Sequence, residues 1–288
     1  MVKFMRLGWL MALFLLVSGI LLGFAGGLHP AGDSLSLLRM PMAALCLLAL
    51  LISGPWVLRA ALLLAGGAGM ATTLPLWLLS QPGDDLTLYS KNLWFANTQL
   101  HALAADIRDS GAEVVTLQEV SDRNDDILTL LAADFPYQHL CRFSGWSGVA
   151  VLSQHPISAT RCSDQRAVAA ARISRDGQGV WIAAVHLPWP FPYGNASAAD
   201  SGMAVLEGLR GPVVMAGDFN IFPWADSVQR LNRASGTRTA GPIRPTFMLR
   251  GVPLLLDHVH APGGGMVTTR PLLGSDHLGV LAQVSLTH

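Results

Sequence analysis

Six short stretches of this chain set an oxygen- or nitrogen-bearing side chain beside an apolar run. Asn92 follows LTLYSK, Glu119 follows VVTLQ, His186 follows VWIAAV, and Asp218 and Asn220 follow VVMAG. Asp257 follows VPLLL, and Asp276 and His277 lie in GSDH just before GVLAQV. Carboxylates, amides and imidazoles hold hard cations, orient water and move protons. Burying such groups without partners is costly. Strand tips meeting on one edge of a sandwich would give them a shared, partly wet site. Singly, each residue has a plainer reading. Asn92 can end a strand in a turn, Asp218 and Asn220 can close an Asx turn, and a lone His186 is more often structural than catalytic. Their joint order is what points to chemistry.

The elements that must carry these groups are legible from residue 84 onward. Alternating apolar patterns predict strands at Leu86–Ser90, Glu113–Glu119, Gly148–Ser153, Ala167–Ser174 and Val180–His186. Later strands are expected at Leu254–His260, Met266–Thr269 and Gly279–Ser285. Helical spacing predicts helices over Asn97–Asp109, from Ser121 or Asp122 to Ala133, and over Ala198–Leu209. The late strands follow one another without helices, so the sheets should be mixed and largely antiparallel. In an extended tip, residues 218 and 220 would point the same way, with Phe219 turned into the core.

Charge divides the chain in two. Of 38 charged side chains, only Lys3, Arg6, Asp33, Arg39 and Arg59 precede residue 84. Residues 1–83 read as a membrane anchor with helices near 7–28, 35–53 and 56–79. Ser53-Gly54-Pro55 reads as a turn between the last two. Arg39 and Arg59 would snorkel from helix ends. A cleaved signal peptide is the other reading of the first run. Lys3 and Arg6 place the N-terminus in the cytoplasm, and three crossings would deliver residues 84–288 to the periplasmic or extracytoplasmic side of an inner membrane. There Cys141 and Cys162 could pair; two buried free thiols are the alternative.

The ordered set SKN, QEV, strand-end His186, GDFN, LDHV and SDHLGV resembles the endonuclease/exonuclease/phosphatase superfamily, and GVAVLS at 148–153 resembles one of its framework strands. The resemblance spans residues 86–286 and leaves the apolar leader outside. It implies a two-sheet α/β sandwich, four-layered and deoxyribonuclease I-like, with helices outside. It also implies hydrolysis of phosphate esters with Mg²⁺, or Mn²⁺ in its place. Matched positions would make Asn92, Glu119 and Asp276 the metal side. Asp218 would orient or deprotonate the attacking water, and Asn220 would hold that water or the phosphate. His186 and His277 would donate to phosphoryl oxygens, with Asp257 orienting His277. His258 and His260 take no role.

Composition narrows the substrate less. From residue 84 on, 15 Lys and Arg face 18 Asp and Glu, a balance of −3, with no basic footprint of the kind that grips duplex DNA. Lys91 is the single lysine of that part. Trp146 and the loop LPWPFPYG, with Trp189, Phe191 and Tyr193, could rim the site or pack as ordinary loops. Arg142 could contact phosphate, and a surface residue is its plainer reading. The expected partners are a phosphate-ester substrate (nucleic acid, nucleotide or phospholipid) and a lipid bilayer through three helices, with no protein partner. A membrane-anchored nuclease and a phospholipid (sphingomyelinase-like) or inositol-phosphate hydrolase are the specialisations to separate. A catalytically silent binding module on the same fold is the competing class. Three helices without an intramembrane acid or a repeat argue against a transporter.

Overall fold

The computed structural model describes residues 2–52 and 54–287. Ser53 of the expected turn lies outside them, as do the side chains of Lys3 and Arg6 that carry the orientation signal. The chain begins with helices α1 (Val2–Gly23), α2 (Ala31–Ser36), α3 (Arg39–Ala49) and α4 (Trp56–Leu78). There follow β1 (Leu86–Asn92), α5 (Leu100–Asp109), β2 (Val114–Val120), α6 (Asp126–Leu130), β3 (Tyr137–Cys141), β4 (Gly148–Ser153), β5 (Ile157–Cys162) and β6 (Val168–Arg175). The second half runs β7 (Gln178–His186), α7 (Asn195–Leu206), β8 (Val213–Asp218), α8 (Asp226–Ser235), β9 (Arg238–Thr239), β10 (Phe247–Leu249), β11 (Val252–Leu254), β12 (Asp257–Ala261), β13 (Gly265–Arg270) and β14 (Gly279–Val284).

Two mixed six-stranded sheets form an α/β sandwich, in the orders β13-β14-β1-β2-β4-β3 and β5-β6-β7-β8-β12-β9. Only β1/β2 and β7/β8 pair in parallel among these neighbours. Each parallel pair is joined by a crossover helix, α5 or α7, as parallel connections require. Apolar side chains from both sheets, among them Leu88, Val114, Ile182 and Val214, fill the layer between them. Helices α7 and α8 cover one outer face through Leu206 and Leu231, and α5 and α6 cover the other through Leu103 and Ile127. Truncating any of these buried Leu or Ile side chains to Ala would cost about 2–5 kcal/mol. Cys141 and Cys162 are joined as a disulfide between β3 and β5, which settles the open choice between pair and free thiols.

The leader departs from the three spans expected over 7–28, 35–53 and 56–79. Among the described residues, only Trp56–Leu78 is long and apolar enough to cross a bilayer. The apolar stretch Leu7–Gly23 and helix Arg39–Ala49 are shorter. At 11 residues α3 rises roughly 16 Å, about half a hydrocarbon core. Two charges explain the broken second run, because both turn inward. Asp33 is 3% and Arg39 4% exposed. Asp33 accepts the backbone N–H groups of Asp226 (2.7 Å) and Ser227 (3.1 Å), and so caps α8 from 193 residues away in sequence. Arg39 donates to Trp224 O (3.1 Å) and Gly23 O (2.6 Å) instead of snorkelling. The leader is therefore bonded to the sandwich as well as packed within itself.

Other sequence expectations shift locally. The helix expected up to Ala133 shrinks to Asp126–Leu130, with turns on either side. The strand expected over Leu254–His260 divides, so Asp257 opens β12 rather than ending a strand.

Candidate active site

Strand direction explains why the eight residues share one edge. Asn92 and Glu119 lie at the carboxyl ends of β1 and β2, and His186 and Asp218 at those of β7 and β8. Crevices outside such ends are the usual ligand sites of parallel strands. Strand β12 runs antiparallel to β8, and its first residue, Asp257, pairs in register with Asp218. On the other side of Asp218, His186 pairs with it from β7. Strand β14 runs antiparallel to β1, so His277, just before β14, arrives at the same edge.

Asp218 is the hub. It is 1% exposed. Its Oδ2 accepts the Asn92 NH2 at 2.9 Å and the Asn220 NH2 at 3.0 Å. Its Oδ1 accepts the Asn220 backbone N–H at 2.8 Å. His186 Nε2 stands 3.8 Å and His277 Nε2 3.9 Å from Oδ2. The GDFN tip is not extended, however. The strand stops at Asp218, and Asn220 takes a left-handed conformation with φ of 52°. The Asx turn read as the plain alternative is therefore formed, and it delivers Asn220 to the same carboxylate. Phe219 is fully buried and stacks on His258 with ring centroids 5.0 Å apart. Gly217, with φ of 153°, lets β7 approach: a Cβ there would meet Val185 O at 2.0 Å.

Glu119 is aimed by local strain. The β2/β4 register shifts between Leu117 and Val120, and Glu119 sits inside that bulge with φ of 57°. Bulges and left-handed non-glycine residues cluster where a side chain must be redirected. Its carboxylate accepts Phe95 N–H at 3.0 Å and the Asn92 NH2 at 3.3 Å. Asn92 therefore links Glu119 to Asp218 through its nitrogen, while its amide oxygen accepts Trp94 N–H at 2.9 Å. That differs from the expectation of an Asn92 oxygen turned toward a cation. Glu119 and the exposed Asp276 line one open cleft of about 710 Å³, together with Trp94, Phe95 and Trp146.

Burial and charge set the protonation states. Burial pushes the Asp218 carboxyl up to about 7, against the pull of the His277 charge. Burial works against the His277 cation too. Asp257 and Asp218, with the Asp257 hydrogen bond, outweigh it and push His277 up to about 10. Burial raises Glu119 from its ordinary value, despite the hydrogen bonds from Asn92 and Phe95. Burial, with Arg166 and His277 nearby, holds His186 well below the usual imidazole value, so it is neutral. The edge thus carries a cationic His277, a neutral His186 and a carboxylate poised near neutrality, an arrangement that suits acid–base work on water and an anionic ester.

The donor set fits a hard divalent cation. Asp218, Asp257 and His277 present ligand atoms within 4.8 Å of one another. Yet His277 spends Nδ1 on Asp257 and is held charged, which leaves no free nitrogen lone pair there. Mg²⁺ prefers oxygen donors and retains waters. Glu119 and Asp276, facing an open cleft, offer carboxylates with room for both.

Four supporting residues escaped the sequence reading. Lys91 is fully buried. Its ammonium donates to Pro271 O (3.0 Å), Leu272 O (2.7 Å) and His277 O (2.6 Å), pinning the loop before β14. Ser275 Oγ donates to Asn92 O at 2.7 Å and accepts His277 N–H at 3.0 Å. Asn124 donates to Glu119 O at 3.0 Å and Trp94 O at 3.1 Å, fixing the bulge. Arg166 lies over the Trp146 ring at 5.1 Å and interacts with Glu119 and Asp218. Of the aromatic candidates, Trp146 lines the cleft, whereas Trp189 packs on Phe247 and Phe191 on His29. Arg142 is tied to Asp122 and Asp125 on the surface.

A sequence model described as the Endonuclease/Exonuclease/phosphatase family matches residues 89–278. Curated proteins give no match. Several solved structures share the fold. TDP2 from D. rerio, in complex with a single strand DNA product, aligns with a TM-score of 0.56 at 15% identity, covering 68% of this chain and 97% of that one. A family protein from Leptotrichia buccalis C-1013-b aligns at 0.55 and 15%, covering 69% and 99%. Sphingomyelinase C from Streptomyces griseocarneus aligns at 0.52 and 18%, covering 71% and 100%.

Proposed function

Because this chain belongs to the Endonuclease/Exonuclease/phosphatase family, a family of phosphoester hydrolases, we propose that it is a divalent-metal-dependent phosphodiesterase held at a membrane. The observation that carries the chemistry is the surround of Asp218: two amides, two imidazoles and Asp257 on one strand edge. Glu119 and Asp276 would hold Mg²⁺ or Mn²⁺, which when bound offsets charge on the phosphoryl and leaving oxygens.

The chain's own residues supply the rest. Asp218, with its carboxyl pushed up to about 7, orients the attacking water and takes its proton. The Asn220 and Asn92 amides keep that carboxylate aimed. Cationic His277 and neutral His186 donate to phosphoryl oxygens, and such preorganised donors are worth about 3–4 kcal/mol each in a dry site. Asp257 keeps His277 oriented and charged. Trp94, Phe95 and Trp146 give the cleft flat apolar walls for a base or an acyl-bearing headgroup. That supports both specialisations suggested by fold neighbours, which include a DNA-bound protein and a sphingomyelinase.

Membrane attachment rests on apolar side chains turned outward from the leader, among them Phe14, Leu15, Leu63 and Leu64. The Cys141–Cys162 disulfide supports an oxidising, extracytoplasmic setting for the sandwich. A reporter fused to the end of the full chain should be active outside the cytoplasm only; cytoplasmic activity contradicts this orientation.

The deciding experiment is a parallel screen of DNA, RNA, phospholipids and inositol phosphates with the detergent-solubilised full chain and its Asp218→Asn variant. Turnover of one class by the native chain and not by the variant assigns the substrate. Equal turnover by both would remove Asp218 from the reaction.

A further inference from the structure

A second cavity, of about 470 Å³, lies where the leader meets the sandwich and shares no wall residue with the catalytic cleft. Its walls include Phe24, Arg39, Thr72, Asp226, Gln229 and Arg233. Phe24 follows the last turn of α1, and Thr72 lies in the last two turns of α4. The cavity therefore opens at the level where α1 and α4 end.

Arg39 is the unusual wall residue. Its guanidinium is buried, donates to the carbonyls of Gly23 and Trp224, and lies 4.0 Å over the Phe24 ring. It forms no ion pair among the described residues, and its Nε–H has no acceptor among them. The nearby carboxylates are committed elsewhere. Asp33 caps α8 and reaches Arg39 through its charge alone, with no hydrogen bond between them, and Asp226 is held by Arg230 at 3.0 Å and Arg233 at 3.6 Å. A buried cation with a spare donor is costly without an anion beside it. Arg233 adds a second cation at the rim, and the Gln229 amide, which gives one N–H to Pro223 O at 2.7 Å, keeps a second N–H to offer.

We propose that this seam binds a phosphate-type anion, supplied by a phospholipid headgroup where α1 and α4 end. Arginine suits that ligand because its planar fork matches phosphate oxygens. The lipid source rests on the membrane reading above; the anion site rests on Arg39 and Arg233 alone. A headgroup seated there would hold the sandwich at a fixed height and angle over the bilayer.

The test uses the full chain in neutral detergent with EDTA, which keeps divalent cations from the catalytic edge. Native mass spectrometry compares retention of phosphatidylglycerol with that of a diacylglycerol carrying the same acyl chains. Melting temperature is followed with inorganic phosphate against sodium chloride at equal ionic strength. The expected result is retention of one phosphatidylglycerol, preferred over diacylglycerol by at least about tenfold, as one charge-assisted hydrogen bond would give. Inorganic phosphate should displace it and raise the melting temperature. Arg233→Ala, on an exposed residue, should weaken retention while leaving hydrolysis unchanged, and Arg39→Gln should abolish it. Asp218→Asn should retain the lipid like the native chain. A melting response to phosphate without lipid retention would overturn the lipid source. No response to either, or equal retention by Arg233→Ala and Arg39→Gln, would overturn the site. A chain that stays soluble without detergent contradicts membrane attachment, and the phosphate arm still reads the site.

Discussion

His277 Nδ1 donates a 2.7 Å hydrogen bond to Asp257 Oδ2, and this bond joins the two sheets at the catalytic edge. Asp257 opens β12 in one sheet, and His277 precedes β14 in the other. Both side chains are buried, so the pair is shielded from solvent and salt. Asp257→Asn keeps the shape and removes the charge. It should lower kcat/KM on bis(p-nitrophenyl) phosphate by on the order of 10²–10⁴-fold, the range of a positioned acid–base group. The alkaline limb of the pH profile should also move to lower pH, because His277 would lose its proton more readily. A loss of rate with an unmoved alkaline limb would make Asp257 merely structural.

The same pair fixes how stability of the EDTA-treated protein depends on pH. His277 is raised from 6.5 to about 10 in the fold, so the folded state binds the extra proton between those values. Its stabilisation is complete below 6.5 and is lost as pH rises through about 10. Asp218, raised from 3.8 to about 7, adds a slope of the same sign at lower pH. Melting temperature should therefore fall between pH 6.5 and 10, and His277→Gln should flatten that fall. A melting temperature that rises over this range would contradict the assignment.

Asp33 supplies the N-terminal cap that α8 lacks locally, since Ala225 at the cap position has no side-chain acceptor. Asp33→Ala should destabilise the full chain by about 1–2 kcal/mol, the usual worth of a cap. Asp33→Asn, which keeps an oxygen acceptor, should cost less. Thermal or denaturant unfolding in detergent reads the difference. An unaffected Asp33→Ala variant would mean that leader and sandwich are energetically independent.

How much of this was legible in sequence follows from where the information lies. Residues at apolar run ends, such as Glu119 and Asp218, announce themselves because strand periodicity marks the tip and the motif marks the side chain. Lys91 does not, because its partners Pro271, Leu272 and His277 come from a loop 180 or more residues away. Asn124 and Ser275 act on backbone groups, which leave no signature in side-chain type. Strand β5 alternates only weakly at a sheet margin, and α8 is too polar to show an apolar run, so neither was anticipated. The leader misled for the opposite reason. Hydropathy counts apolar residues and cannot tell that Asp33 and Arg39 turn inward to bond the sandwich.

The most direct measurement is hydrolysis of bis(p-nitrophenyl) phosphate by the full chain with its divalent cation removed and then restored. Turnover should vanish in excess EDTA and return with Mg²⁺ or Mn²⁺. Glu119→Gln should need a much higher Mg²⁺ concentration to regain it, since it loses a carboxylate from the cleft it shares with Asp276. Undiminished turnover in excess EDTA, or a Glu119→Gln variant with an unchanged Mg²⁺ requirement, would contradict cation-assisted hydrolysis at this edge.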